Sequence, residues 1–453
     1  MPYEGEYATY RPLHRIAECQ RVKGLLARSK LLEGTTTTCA PQPVGAPPQV
    51  SMLPRFILAI DGSYAEVDVK NGYPGAKIGY CTAASVLLDL DLVGRLDVQR
   101  PVDPVEFRKT EQAESVDAAL PGSNIVTRRQ NSASASFREE LYDLFTDIIV
   151  DEDDRTNLLS TYETLLSLKP TENPQSCPYK ESYGCAGEFA VGPGCTVCPT
   201  CGRLVYSTDA LRIHERFRDI GTNGEAFGLV MQVIERLLVV HFLRCFERRD
   251  LLQRLTSLAF FVDGPLAVFG PPAWLSAAIS KELKRLNQKV QARTGQDLLM
   301  LGIEKTGEFV EHFEEIDQME TPGQHLFAAR QYMVLTDKYI KDRIQHSDSR
   351  KRYGVDTYFG RKVFYKTQSE ARIVASIPFL SDAQDTLDSD DIALYPQFAS
   401  ACTLLDRLVS SRYANAVSPL IAANAQAAIP LRLGSKVLTQ LARALLGTAE
   451  NGR

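Results

Sequence analysis

Residues 257–270 read SLAFFVDGPLAVFG, an apolar run interrupted once, by Asp263. Aromatic and β-branched residues closed by Gly-Pro indicate a buried strand. A carboxylate inside such a strand is costly unless it is paired or holds a metal. Upstream, residues 55–63 read RFILAIDGS and repeat the pattern, with Asp61 at the end of an equally apolar run. Two acids at the C-terminal ends of buried strands, each followed by glycine, match the needs of a divalent-metal site. Hard cations take carboxylate oxygens, and strands hold them rigidly.

The chain around these strands gives the fold class. A turn at 71–75 (NGYPG) and a second apolar strand at 76–92 predict a hairpin after Asp61. Helical periodicity marks 137–150, 154–168, 223–246 and 249–255 before the Asp263 strand. After it come a helix at 274–294, a strand at 298–303, a helix at 324–345, a hairpin from 358–367 and 371–377, and helices at 391–411, 420–428 and 433–446. A hairpin followed by helix–strand alternation predicts an α/β mixed sheet with helices on its faces. Residues 1–54 read as an N-terminal helix (13–32) and a Thr/Pro/Gly-rich linker (35–54), 55–445 as the core and 446–453 as a tail. Residues 93–136 are polar (QRPVDP, NSASAS) and read as exposed, opening an insertion over 93–220 that includes a cysteine-rich piece at 174–206.

A length of 453 residues allows two or three domains, or one elaborated domain. With 44% hydrophobic and 24% charged residues the composition is that of a globular protein. The net charge of −5 excludes the global basic field of many nucleic-acid binders, though not a local basic groove. No run of 18 apolar residues lacks charge, and the first residues, MPYEGEYATYRPLHR, have no apolar core, so neither a membrane span nor a secretory signal is expected. Cys19, Cys39, Cys81, Cys245 and Cys402 are scattered, as expected of buried thiols in a cytoplasmic chain.

Two acids do not complete a metal site. On the 223–246 helix, Glu235 is flanked by Val233, Ile234, Leu237 and Leu238, and it is the candidate third ligand. Lys305 follows the next strand and is placed to bind phosphate or steady transition-state charge. The implied chemistry is metal-assisted phosphodiester hydrolysis by Mg²⁺ or Mn²⁺. Each residue also has an ordinary reading: an Asx turn for Asp61, a turn initiator for Asp263, a solvent face for Glu235 and a solvated lysine for Lys305. The coincidence of two strand-end Asp-Gly pairs in one sheet favours the functional one.

FILAIDGSYAEV, the second apolar strand, the helix carrying Glu235 and FFVDGPLAVFG together resemble the NurA family over residues 55–445. The likeness is strongest at IDGS and DGPL and weaker at GIEKTG and Tyr395-Pro396. These are DNA-end-processing nucleases with an RNase H-like core, partnered by the hexameric ATP-driven translocase HerA. The resemblance implies Asp61, Glu235 and Asp263 as Mn²⁺ or Mg²⁺ ligands, and a homodimer whose channel receives DNA. The family tends to carry a histidine in a segment like 419–430, where Asn424 stands here.

The simplest family members lack the cysteine-rich piece. Cys177, Cys185, Cys195, Cys198 and Cys201 lie within it, the last two in CPTCG. Two thiolates on a tight turn with glycine form a zinc knuckle, and four thiolates make a closed structural site. Cys177, Cys185, Cys198 and Cys201 are the expected set, with Cys195 the substitute; His214 is a weaker candidate. Basic and aromatic residues interleave over 351–366, where a face for single-stranded DNA and a solvated strand face are equally open readings.

The resulting expectation is a metal-dependent DNA nuclease with a zinc-stapled insertion, acting beside a HerA-like ATPase in DNA repair or antiviral defence. The alternatives are a catalytically weak structural or regulatory subunit of that ATPase, favoured by Asn424, and a non-catalytic zinc-ribbon DNA-binding protein.

Overall fold

The strands that carry Asp61 and Asp263 lie side by side in one sheet, but only Asp263 ends its strand: Asp61 falls mid-strand, paired with Ala84, and its strand continues to Asp68. The computed structural model describes residues 11–29, 39–69, 74–93, 111–149, 155–169, 174–318, 324–384, 389–410, 416–429 and 437–440. The large sheet is built from β1 (Val44–Gly45), β2 (Phe56–Asp68), β3 (Lys77–Asp89), β4 (Glu111–Pro121), β5 (Leu258–Asp263), β6 (Leu299–Glu304), β7 (Gln331–Val334), β8 (Gly360–Lys366) and β9 (Arg372–Pro378). Its order is β1-β7-β8-β9-β6-β5-β2-β3-β4. β2, β5 and β6 run parallel at the centre, and every other neighbouring pair is antiparallel.

Side-chain alternation gives the sheet two buried faces. Leu58, Ile60, Phe260, Val262 and Met300 face one core, with helices α1 (Ala133–Asp147), α2 (Leu158–Leu166), α3 (Gly224–Arg248) and α4 (Leu275–Thr294). A smaller cluster joins α5 (Glu308–Asp317) to the β7–β9 end. Ile57, Ala59, Phe261, Leu301 and Ile303 face the opposite core, with α6 (Phe398–Leu408) and α7 (Ser418–Ala427). By length and composition α3 is apolar enough to cross a membrane, but most of it is buried inside this core. A helix that is apolar nearly all round belongs in an interior, and α3 is the central one.

The structure corrects several expectations. The supposedly exposed stretch 93–136 holds β4, which pairs along β3 from Glu111↔Leu88 to Pro121↔Ile78. As an edge strand it buries only Ala118, Leu120 and Pro121, so its polar composition reads as a loop. α1 also packs in the main core, through Phe137, Leu141 and Phe145. Over 324–345 the chain forms β7 and a short helix, Asp337–Arg343, capped by the Thr336 side chain; sheet pairing overrides the helical pattern. The N-terminal segment is two helices, Arg11–Glu18 and Gln20–Arg28. The linker reading also yields in part, because Val44–Gly45 adds β1 to the edge of β7. Of the 433–446 helix only 437–440 is described, and the tail at 446–453 lies outside the described residues.

Neither reading left open over 351–366, a face for single-stranded DNA or a solvated strand face, describes its strand cations. Arg361, Lys362 and Lys366 are buried. Lys362 Nζ pairs with Glu304 Oε1 at 2.5 Å beneath the Phe309 ring. Lys366 Nζ donates to Asp317 Oδ2 at 2.9 Å, which also accepts from Arg372 Nε at 2.7 Å; Asp317 Oδ1 accepts from the Phe327 amide at 2.9 Å. Lys351 and Arg352 remain exposed. Removing one partner of a buried ion pair strands the other. Asp317→Ala is therefore expected to destabilise the fold by about 3–5 kcal/mol, read as the shift in a urea unfolding midpoint at constant slope.

Candidate active site

β2, β5 and β6 are parallel, so the C-terminal ends of β5 and β6 fall beside the middle of β2, which runs on to Asp68. Ile60 pairs with Val262, and Asp263 pairs with Ile303. Asp61 thus stands one residue past its last β5 pair, and Lys305 one residue past the end of β6. Alternation puts Asp61, Asp263 and Lys305 on the same face, continuing the rows Ile57–Ala59, Ala259–Phe261 and Leu301–Ile303. Lys305 Nζ lies 2.7 Å from Asp263 Oδ1 and 3.2 Å from Asp61 Oδ2, bridging the two carboxylates. Asp61 Oδ1 accepts from the Gly62 amide at 2.8 Å.

Glu235 comes from α3, on the opposite side of the sheet. It is buried, not on a solvent face. Gly62 makes room for it: a Cβ there would lie 2.8 Å from Glu235 Oε1. Its other oxygen lies 3.4 Å from Arg236 Nη1. The four residues singled out from sequence therefore lie about one place in the sheet, where β5 and β6 end beside the middle of β2.

Charge is the main tension in this cluster. Desolvation, then the Asp263 charge, raises the Asp61 carboxyl to about 6 against the opposing pull of Lys305 and the Gly62 amide. Desolvation raises Glu235 to about 8; Arg236 opposes this, while Asp61 and Asp263 add to it. Desolvation pulls the Lys305 ammonium down, but the two aspartates outweigh it and the net shift is upward. Three carboxylates against one lysine and one arginine form a hard-oxygen donor set short of positive charge, which fits a divalent cation. They are looser than a closed metal cage: among the described residues, the four cysteines are the group whose ligand atoms all lie within 4.8 Å of one another.

Those cysteines are Cys177, Cys185, Cys198 and Cys201. The Cys177–Cys201 and Cys185–Cys198 sulfurs are 3.8 Å apart. That separation is the edge of a tetrahedron with metal–sulfur bonds of ~2.3 Å. Desolvation raises the Cys198 thiol, but the Cys201 and Thr200 amides outweigh it and bring the thiol down to about 6, toward the thiolate a metal takes. Cys195 is exposed outside the cluster, and His214 sits 3.8 Å from Asp209 instead.

Some contacts have no obvious sequence signal. Arg138 on α1 makes a bidentate pair with buried Asp209, at 2.6 Å for each bond, and lies over the Tyr179 ring beside the cluster. Ser63 Oγ donates to the Ala427 carbonyl at 2.5 Å, tying α7 to the strand of Asp61. Asn424, on that helix, is exposed. Arg236 adjoins Glu235 in sequence, and that adjacency is the one local signal for its place in the site.

The NurA domain family matches residues 56–429. The chain belongs to the NurA family, a family of nucleases. Among solved structures it is similar to the NurA nuclease from Sulfolobus solfataricus, with 10% identity over 99% of this chain and 98% of that one and a TM-score of 0.34. No curated protein matches it.

The raised Glu235 carboxyl makes metal-free stability depend on pH. The unfolded chain loses this proton near its ordinary value of 4.5 and the fold only near 8. Stability is thus lost as pH rises between these values. In chelator, the stability of Glu235→Gln relative to wild type should rise by on the order of 3 kcal/mol between pH 5.5 and 9. Parallel denaturant melts of the two proteins measure that difference.

Proposed function

We propose that this chain is a Mn²⁺- or Mg²⁺-dependent deoxyribonuclease that processes DNA ends as a homodimer beside a HerA-like hexameric ATPase in the cytoplasm, in DNA repair or antiviral defence. The observation that carries the reading is the gathering of Asp61, Asp263 and Lys305 on neighbouring parallel strands with Glu235 against Gly62 behind them, within a chain of a nuclease family. The order β4-β3-β2-β5-β6, with the first three strands antiparallel and β5 and β6 parallel to β2, supports an RNase H-like core. The partner and the dimer rest on the family resemblance.

Asp61, Glu235 and Asp263 would hold the divalent metal. Bound there, it supplies Lewis acidity toward a phosphodiester and lowers the pKa of a water. Lys305 fixes the two aspartates before substrate arrives. Its ammonium is then the group available to a phosphate oxygen, since its shift keeps it protonated. The apolar rows below the carboxylates exclude water from beneath the site. No imidazole is assigned a role, because Asn424 stands where the resemblance implies histidine.

Cys177, Cys185, Cys198 and Cys201 would hold a structural zinc, with Cys195 outside it. The tetrahedral sulfur spacing supports this reading.

Cleavage of linear single- and double-stranded DNA with Mn²⁺ tests the main proposal. Wild type should cut, and Asp263→Ala should lose at least a thousandfold in rate, about 4 kcal/mol of transition-state stabilisation. If neither protein cuts with or without the ATPase, while wild type still binds it, the structural-subunit reading prevails. Metal analysis tests the zinc site: one zinc per chain is expected in wild type and in Cys195→Ser, and none in Cys198→Ser.

A further inference from the structure

We propose that Arg236 is a positioning residue that locks the Asp263 strand end onto α3 and thereby sets the separation of Glu235 and Asp263. The proposal rests on the metal-dependent reading above. It starts from the turn after β5. Gly264 takes φ 74°, in the left-handed region, and its amide donates to the Ile303 carbonyl at 2.8 Å. The turn folds back on β6 so closely that a Cβ on Gly302 would lie 2.7 Å from the Gly264 oxygen. β6 therefore closes one side of the turn.

Arg236 closes the other side. Its side chain is only 4% exposed. Nη2 donates to the carbonyls of Asp263 at 3.0 Å and Pro265 at 3.1 Å, and Nε donates to that of Ala267 at 3.2 Å. Three alternate carbonyls of one turn thus converge on one guanidinium. Buried carbonyls need donors. A planar fork can serve all three at once, which the single ammonium of lysine cannot do with the same geometry. Nη1 of the same group lies 3.4 Å from Glu235 Oε2.

Glu235 and Arg236 are consecutive on α3, so the clamp and a carboxylate share one rigid helix turn. Whatever fixes Arg236 against residues 263–267 also fixes Glu235 against Asp263. Arg236 touches no reacting atom in this arrangement, and its effect is exerted through the carboxylates.

The test is a Mn²⁺ titration followed by electron paramagnetic resonance, with DNA cleavage measured in parallel. Wild type, Arg236→Lys, Arg236→Gln and Asp263→Ala are compared at a temperature where circular dichroism shows all of them folded. Groups that orient metal ligands typically contribute about 10- to 100-fold in affinity. Both Arg236 variants should therefore weaken Mn²⁺ binding at least about tenfold. Their kcat should fall at low Mn²⁺ and recover as Mn²⁺ is raised, with KM for DNA unchanged. A merely structural role would lower the melting temperature and leave Mn²⁺ affinity as in wild type, and that result overturns the proposal. If the Arg236 variants do not fold, Gly264→Ala strains the same turn with Arg236 in place. It should weaken Mn²⁺ binding similarly, and unchanged affinity there refutes the clamp. A wild type that binds no Mn²⁺ refutes the metal reading and this proposal with it; equal binding by wild type and the Arg236 variants refutes this proposal alone.

Discussion

The burial of two carboxylates, Asp61 and Glu235, beside a third at Asp263 is the constraint around which this molecule is arranged. A parallel trio of strands brings Asp61 and Asp263 to a common edge, and α3 delivers Glu235 from behind through the space left by Gly62. Nothing in a hydrophobic core would gather these groups by itself. They are held because two apolar layers, one on each face of the sheet, fix the strands and the helix independently of the charges. Lys305 and Arg236 offset part of the cost, and desolvation still leaves the Asp61 and Glu235 carboxyls shifted upward. A site preorganised in this way draws on the stability of the whole fold.

The cysteine cluster follows a different logic. Its residues form a small buried group of Cys177, Tyr179, Cys185, Cys198 and Val205, too few for an independent core. The Arg138–Asp209 pair fastens it to α1. Asp209 also accepts from the Tyr206 amide at 2.8 Å, and its carbonyl accepts from Gln175 at 2.6 Å. One buried residue, through its carboxylate and its carbonyl, thus joins the helix, the chain before the first cysteine and the strand after the last.

How much of this was legible follows from the range of each interaction. Asp61 and Asp263 stood out because a carboxylate in an apolar run violates a local rule, and the structure brings both together with Glu235 and Lys305. The CPTCG turn was legible for the same reason, and the four sulfurs that cluster are the expected four. β4 was not, because an edge strand with one wet face has the composition of a loop. β7 was missed because four residues are too few to outweigh the helical pattern around them. Arg361, Lys362 and Lys366 looked like a surface because their partners, Asp317 and Glu304 among them, lie far away in sequence; burial of a cation is decided by tertiary pairing that no window reveals. The corrections therefore fall on edges, on the end of β2, which runs past Asp61 to Asp68, and on long-range pairs; the carboxylates in apolar strands were the part that local sequence could disclose.

β2 is longer than its neighbour on the carboxylate side. β5 pairs with it only as far as Ile60, whereas β3 accompanies it to Asp68. The carboxylates therefore sit on a stair tread: the β2–β3 arm runs on beside them like a riser, and on the other flank the chain turns back at Gly264. Handedness is built into that shape. A symmetric slot could be entered from either flank, but a stair distinguishes them, so a directional polymer laid against the riser would present its two chemical ends unequally to Asp61 and Asp263.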